Sequence, residues 1–139
     1  MTALDRELLA ERTAALERHL ARVAARLPGT PDGLAADQDA ADAVILHLWQ
    51  ALQLVIDLAL SACSDLRLGT PASYADAFRR LGAAGKLDPE LVERLVRAAG
   101  LRNVVVHAYD RLDLARIHRA ASDGPRDLRA FLAALRDLV

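Results

Sequence analysis

Apolar residues recur along most of this chain at spacings of three and four, the repeat of helices that bury one stripe. Leu9, Leu16, Leu20, Val23 and Leu27 form the first such stripe, and Thr2 with Asp5 resembles a capping box ahead of it. The turn-forming cluster Pro28 to Gly33 closes that helix. A second, longer helix is predicted from near Asp37 to about Leu66. Val44, Ile45, Leu48, Trp49, Leu52, Val55, Ile56, Ala59 and Cys63 share its wide apolar arc. His47, Gln50, Gln53, Asp57, Ser61 and Ser64 share the opposite arc. None of those six is Lys, Glu or Arg, which suits an interface or a pocket wall, although a solvated face reads the same way.

Gly69 to Ala72 is a linker, and Ser73 with Asp76 caps a short third helix whose Tyr74, Phe78 and Leu81 share a face. Tyr74 and Phe78, four apart, read as core packing. Gly82 and Gly85 break this helix, and Asp88-Pro89 starts a fourth. Leu91, Leu95 and Ala98 carry it into the segment 102 to 109, with Gly100 a natural place for a bend. Asp113 can cap a fifth helix over Leu114 to Ala121, and Gly124-Pro125 opens a last one with Leu128, Phe131, Leu132, Leu135 and Leu138. With no internal repeat and no strand-like alternation, the expectation is all-α: one domain over residues 1–139, an up-and-down bundle of about five to six helices.

Composition narrows this. Hydrophobic residues make up 53% of the chain and aromatics only 4%, so the core must come from Leu, Ala and Val. The single cysteine, Cys63, excludes an intrachain disulfide framework and falls on the apolar arc, where it is inert core. The run Ala43 to Ala62 is long enough to suggest a membrane span, but His47, Gln50, Gln53 and Asp57 interrupt it, so it reads as a buried helix. No charged leader with an apolar core precedes Asp5, and the expected location is cytoplasmic, away from membranes. Net charge is only −1 but unevenly placed. Residues 1–46 hold five Arg against eight acids, whereas residues 94–119 hold six Arg against two Asp. That basic stripe could hold a phosphate backbone or simply be a solvated face.

The chemistry concentrates in Gly100 to Asp113, where Arg102, Asn103, His107 and Tyr109 fall within eight residues. On a helix, Asn103 and His107 are four apart and within reach of a side-chain hydrogen bond. Arg102 lies about 140° round from His107, so one straight helix cannot aim both at one atom. They converge only if the helix bends or a second copy contributes. An imidazole beside a fixed cation suits phosphodiester chemistry, since His moves protons near neutral pH and Arg offsets charge on phosphate oxygens. Surface and capping roles near a helix end explain the same residues. There is no Gly-rich phosphate loop, no paired-Cys pattern and no Gly-x-Ser-x-Gly elbow, and the four His are scattered. No metal or cofactor is expected.

Arg102-Asn103-Val104-Val105-Val106-His107-Ala108-Tyr109 resembles the Arg-Asn-x-x-x-His-x-Tyr signature of the HepT-like branch of the HEPN superfamily. Ser73 to Phe78, Ala84 to Leu87 and Leu112-Asp113 agree with that family's layout, and the likeness runs from about Asp39 to the end. It implies a toxin of a bacterial toxin-antitoxin pair, a metal-independent endoribonuclease that acts as a homodimer on RNA such as tRNA. Arg102 would bind the scissile phosphate, His107 would act as general acid or base, and Asn103 would orient His107. Asp57 resembles a cleft-lining acid, although Leu60-Ser61 stand where the family often has Asn-His. The resemblance further implies that an MntA-like nucleotidyltransferase antitoxin AMPylates Tyr109. The alternative is a non-catalytic HEPN subunit that binds nucleotides or a nucleotidyltransferase.

Overall fold

The computed structural model describes residues 4–139, so the cap expected at Thr2 lies outside the described residues. Six α-helices follow in order: α1 (Arg6–Arg26), α2 (Pro31–Ala36), α3 (Gln38–Asp65), α4 (Tyr74–Ala83), α5 (Pro89–His107) and α6 (Leu114–Arg136). A single 3-10 turn, Tyr109–Arg111, lies between the last two. The expected all-α bundle is thus what forms, with two differences in its parts.

The first difference is α2, a short helix inside the turn cluster that was expected only to end α1. Pro31 sits at its start, where the missing N–H costs nothing, and Leu34 is buried against α6. The second is α6, which runs unbroken through Gly124-Pro125, where a break between two helices was expected. Ile117, Ala121, Leu128, Phe131, Leu132 and Leu135 are all buried along it. They keep one helical phase across the proline, so continued burial outweighs the roughly 3 kcal/mol that an interior proline costs. Helix α5 runs through Gly100 into the segment that begins at Arg102, as expected.

Helix α3 is the centre of the bundle and packs against α1, α2, α4, α5 and α6. Thirteen of its residues are buried, Val44, Leu48, Val55 and Ile56 among them. By length and composition α3 could cross a membrane. Its apolarity is accounted for by the neighbours that cover it. Asp37 caps its start by accepting from the Ala40 amide at 3.1 Å. At its end the Leu68 amide reaches back to the Cys63 carbonyl at 2.9 Å, which holds Arg67 in the left-handed region at φ 57°. The equivalent stop of α4 uses Gly85 at φ 75°, with the Lys86 amide on the Leu81 carbonyl.

Among the described residues no polar or charged side chain is buried. The core is leucine, alanine and valine, joined by an edge-on Phe78–Phe131 pair with centroids 5.5 Å apart. Gly82 lets α4 lie close on α5: a Cβ there would come within 2.7 Å of Val92. Arg102, Asn103, His107 and Tyr109 therefore lie at or near the surface of the bundle.

Candidate active site

Helix α5 delivers the cluster. Leu91, Leu95, Ala99, Leu101 and Val105 are buried along one stripe and fix its rotation against α3, α4 and α6. That rotation leaves Arg102 half-buried and turns Asn103, Val106 and His107 to solvent. The helix stops at His107, where the Ala108 amide closes on the Val104 carbonyl at 2.8 Å. The 3-10 turn then carries Tyr109, and Asp113 restarts the chain as α6 by accepting from the Ala115 and Arg116 amides.

Arg102 is held from three sides. Its Nε donates to Gln53 Oε1 at 2.6 Å, its Nη1 donates to Asn103 Oδ1 at 3.3 Å, and its guanidinium carbon lies 5.0 Å above the Tyr74 ring. Gln53 in turn donates from Nε2 to Asp57 Oδ1 at 2.9 Å. A carboxylate can only accept, so Asp57 forces the Gln53 amide to present its oxygen to Arg102. The relay Asp57–Gln53–Arg102 fixes a cation and leaves its Nη2 edge without a partner among the described residues. Asp57 is thereby linked to Arg102 through Gln53.

His107 is exposed at the last position of α5 and has no hydrogen-bond partner among the described residues. The expected Asn103–His107 bond does not form: Asn103 Oδ1 accepts from its neighbour Arg102 instead. Because α5 is continuous, Arg102 and His107 point about 140° apart, as anticipated for an unbent helix.

Tyr109 is 51% exposed, and its hydroxyl donates to Asp42 Oδ1 on α3 at 3.0 Å. Gln38 Nε2 donates to the same oxygen at 2.8 Å. Partial burial first, and the Asp42 carboxylate second, push the phenol above its ordinary pKa of 10.0 and keep it protonated.

Three participants were not legible as site residues. Gln53 stood only within a polar stripe, Tyr74 read as core packing with Phe78, and Asp42 was not singled out. The one available signal was the four-residue spacing of Gln53 and Asp57 on α3. Among the described residues no three His, Cys, Asp or Glu are grouped as metal ligands.

Comparison with known proteins gives this geometry its context. A family model described as ribonuclease HepT-like matches residues 16–135. An mRNA nuclease HepT of Shewanella oneidensis is 30% identical over 95 residues, spanning 68% of this chain and 71% of that protein. A tRNA nuclease HepT of Aphanizomenon flos-aquae is 36% identical over 70 residues, 50% of this chain and 48% of the relative. The solved structure of a tri-AMPylated Shewanella oneidensis HEPN toxin in complex with an MNT antitoxin matches with a TM-score of 0.84 at 25% identity. That match covers 96% of this chain and 99% of the toxin.

Proposed function

The chain belongs to the HepT-like ribonuclease family, and from that premise we propose that it is an endoribonuclease toxin that cuts RNA with Arg102 and His107. The observation that carries the reading is the state of these two groups. Arg102 is locked by Gln53 with one edge free, and His107 stands exposed and unpartnered at a helix end. In the reaction a ribose 2′-hydroxyl attacks the neighbouring phosphorus and gives up its proton. The bond to the 5′-oxygen then breaks, and that oxygen takes a proton. His107 handles one of these proton transfers, and Arg102 offsets charge on the non-bridging oxygens. The ends left are a 2′,3′-cyclic phosphate and a 5′-hydroxyl.

The divergence of Arg102 and His107 favours a homodimer in which each site takes Arg102 from one subunit and His107 from the other. Leu46 and Val106 support that reading. They are 44% and 41% exposed, and Val106 lies one turn beyond Arg102 while Leu46 continues the Gln50, Gln53 and Asp57 face of α3.

The Shewanella toxin carries AMP and is bound to its MNT antitoxin. Here the acceptor is Tyr109, modified by a nucleotidyltransferase of that kind. Its hydroxyl oxygen sits on an exposed turn two residues beyond His107. Esterified with AMP, it would place bulk and negative charge where the RNA phosphate binds. Such a toxin works in the cytoplasm, where its RNA is.

The test is to incubate the unmodified protein with bulk tRNA in EDTA, beside His107→Ala and Tyr109→Phe, and to examine the RNA ends. Cyclic-phosphate ends from the native protein, none from His107→Ala, and cleavage by Tyr109→Phe that the nucleotidyltransferase no longer silences are expected. Intact RNA with the native protein, its Tyr109 bare by mass, would overturn the reading in favour of a non-catalytic binding subunit.

A further inference from the structure

A second feature lies away from Arg102 and His107. Helices α5 and α6 enclose a cleft of about 340 Å³ floored by Leu48, Leu52, Leu101 and Leu128. Its walls are Arg94 and Arg97 on α5 and Arg116, Arg119 and Arg126 on α6, with Asp123 and Asp127 the acids present. Five arginines against two aspartates give the cleft a net charge of +3, so the rest of a chain of net −1 carries −4. Charge is segregated into this groove.

Only one of the five arginines is neutralised. Arg94 Nε lies 2.8 Å from Asp127 Oδ1, a pair that ties α5 to α6 and builds the wall. Among the described residues, Arg97, Arg116, Arg119 and Arg126 have no carboxylate within ion-pair distance, and all four are exposed. Like charges gathered around an apolar floor repel one another, and an anion that enters relieves that cost. Arg94 with Arg97, and Arg116 with Arg119, are each three apart, so each helix offers neighbouring guanidiniums about 5–6 Å apart at Cβ. The result is two cationic rails with a leucine bed between them.

We propose that this cleft is a second RNA subsite that grips the phosphodiester backbone of the substrate strand outside the cutting site. This rests on the ribonuclease reading and extends it. On α5 the cleft ends at Leu101, one residue before Arg102, whose own side chain turns away toward Gln53 on α3 and Tyr74 on α4. Guanidiniums bind phosphate in bidentate fashion, and the floor is aliphatic, so it offers no aromatic platform on which a particular base would stack. The subsite therefore adds affinity without reading sequence. A protein partner is the weaker fit. Protein interfaces are centred on exposed apolar anchors, and the large exposed apolar side chains, Leu46, Val106 and Tyr109, all lie outside the cleft.

The test uses the full chain. Binding of a single-stranded RNA of about 20 nucleotides is followed by fluorescence anisotropy across a salt series, in a His107→Ala background that spares the RNA. Arg97→Glu/Arg119→Glu is compared with Arg6→Glu/Arg12→Glu, which changes net charge equally on α1. The cleft variant should bind at least about tenfold more weakly, and its log K against log salt slope should flatten by about 1.4, two single-strand phosphate contacts. The α1 variant should stay near the parent. Arg97→Gln/Arg119→Gln, gentler on folding, should shift the same way by less. Equal weakening by both charge reversals, or none by the cleft variant, overturns the subsite. RNA binding unchanged with antitoxin binding lost would also overturn it, making the cleft a protein-docking surface. The otherwise native protein is assayed for cleavage in parallel. If it cuts nothing while binding still depends on the cleft, the ribonuclease reading fails and the subsite stands.

Discussion

Arg102 owes its fixed position to Gln53, a residue that touches no reacting atom, and Gln53 owes its orientation to Asp57. A hydrogen bond to a charged group contributes about 1.5–3 kcal/mol, and Arg102 needs its pose most when charge develops on the phosphate. Gln53→Leu should therefore lower kcat about 10- to 100-fold with a smaller change in KM. Gln53→Glu keeps an acceptor for Arg102 Nε and should recover most of the loss. A leucine variant with native kcat and an unchanged melting curve would remove Gln53 from the site. The residues that the sequence made visible were the local ones. Arg102, Asn103, His107 and Tyr109 advertise themselves by crowding into eight positions. Gln53 lies 49 residues from Arg102, and Asp42 lies 67 from Tyr109. No local pattern marks either pair, because the bundle alone brings them together.

Among the helices, the long periodic ones were legible nearly to their ends, since a stripe of leucines fixes both the presence of a helix and its buried face. What sequence rules misjudged were places where tertiary burial overrides a local breaker: Pro125 inside α6, and α2 within a cluster of turn formers. A second surprise joins α1 to α3. His19, which lies in the arc of the first stripe, and His47 face each other with Nδ1 to Nδ1 at 3.1 Å. At that distance one imidazole donates and the other accepts through an unprotonated Nδ1, so the two cannot both be charged. Partial burial chiefly depresses both below their ordinary 6.5, reinforced for His19 by His47, Arg18 and Arg22 and for His47 by Arg22. In the unfolded chain both take up protons near pH 6.5, so below that value the unfolded state binds more protons than the folded one. The stabilisation is thus fully present above that pH and is lost as pH falls below it. The melting temperature should drop between about pH 7.5 and about pH 5.5, above the range where ordinary carboxylates titrate. A His19→Gln/His47→Gln protein should lose distinctly less. Parallel losses in the two proteins would mean that the pair does not set the acid limit.

On the proposed reading, the whole molecule must bring two groups about 140° apart on one helix to one phosphate. Geometry allows a bend between the two positions or a second copy, and α5 is uninterrupted from Arg102 to His107. A composite site across a two-fold axis has a consequence that no intrasubunit site shares. Arg102→Ala and His107→Ala should each be nearly inactive alone, having lost either the phosphate clamp or the proton carrier from both sites. Unfolded and refolded together in equal amounts, half of the dimers are mixed, and each mixed dimer holds one site with both Arg102 and His107 intact and one with neither. Activity should return to roughly one quarter of the native level. Val106→Glu, which puts a charge on the exposed face beside Arg102, should abolish that recovery by keeping the subunits apart. If each subunit carried its own complete site, the mixture would stay as inactive as its components, because every subunit would still lack one of the two groups. Recovery of activity in the mixture therefore decides between one chain and two.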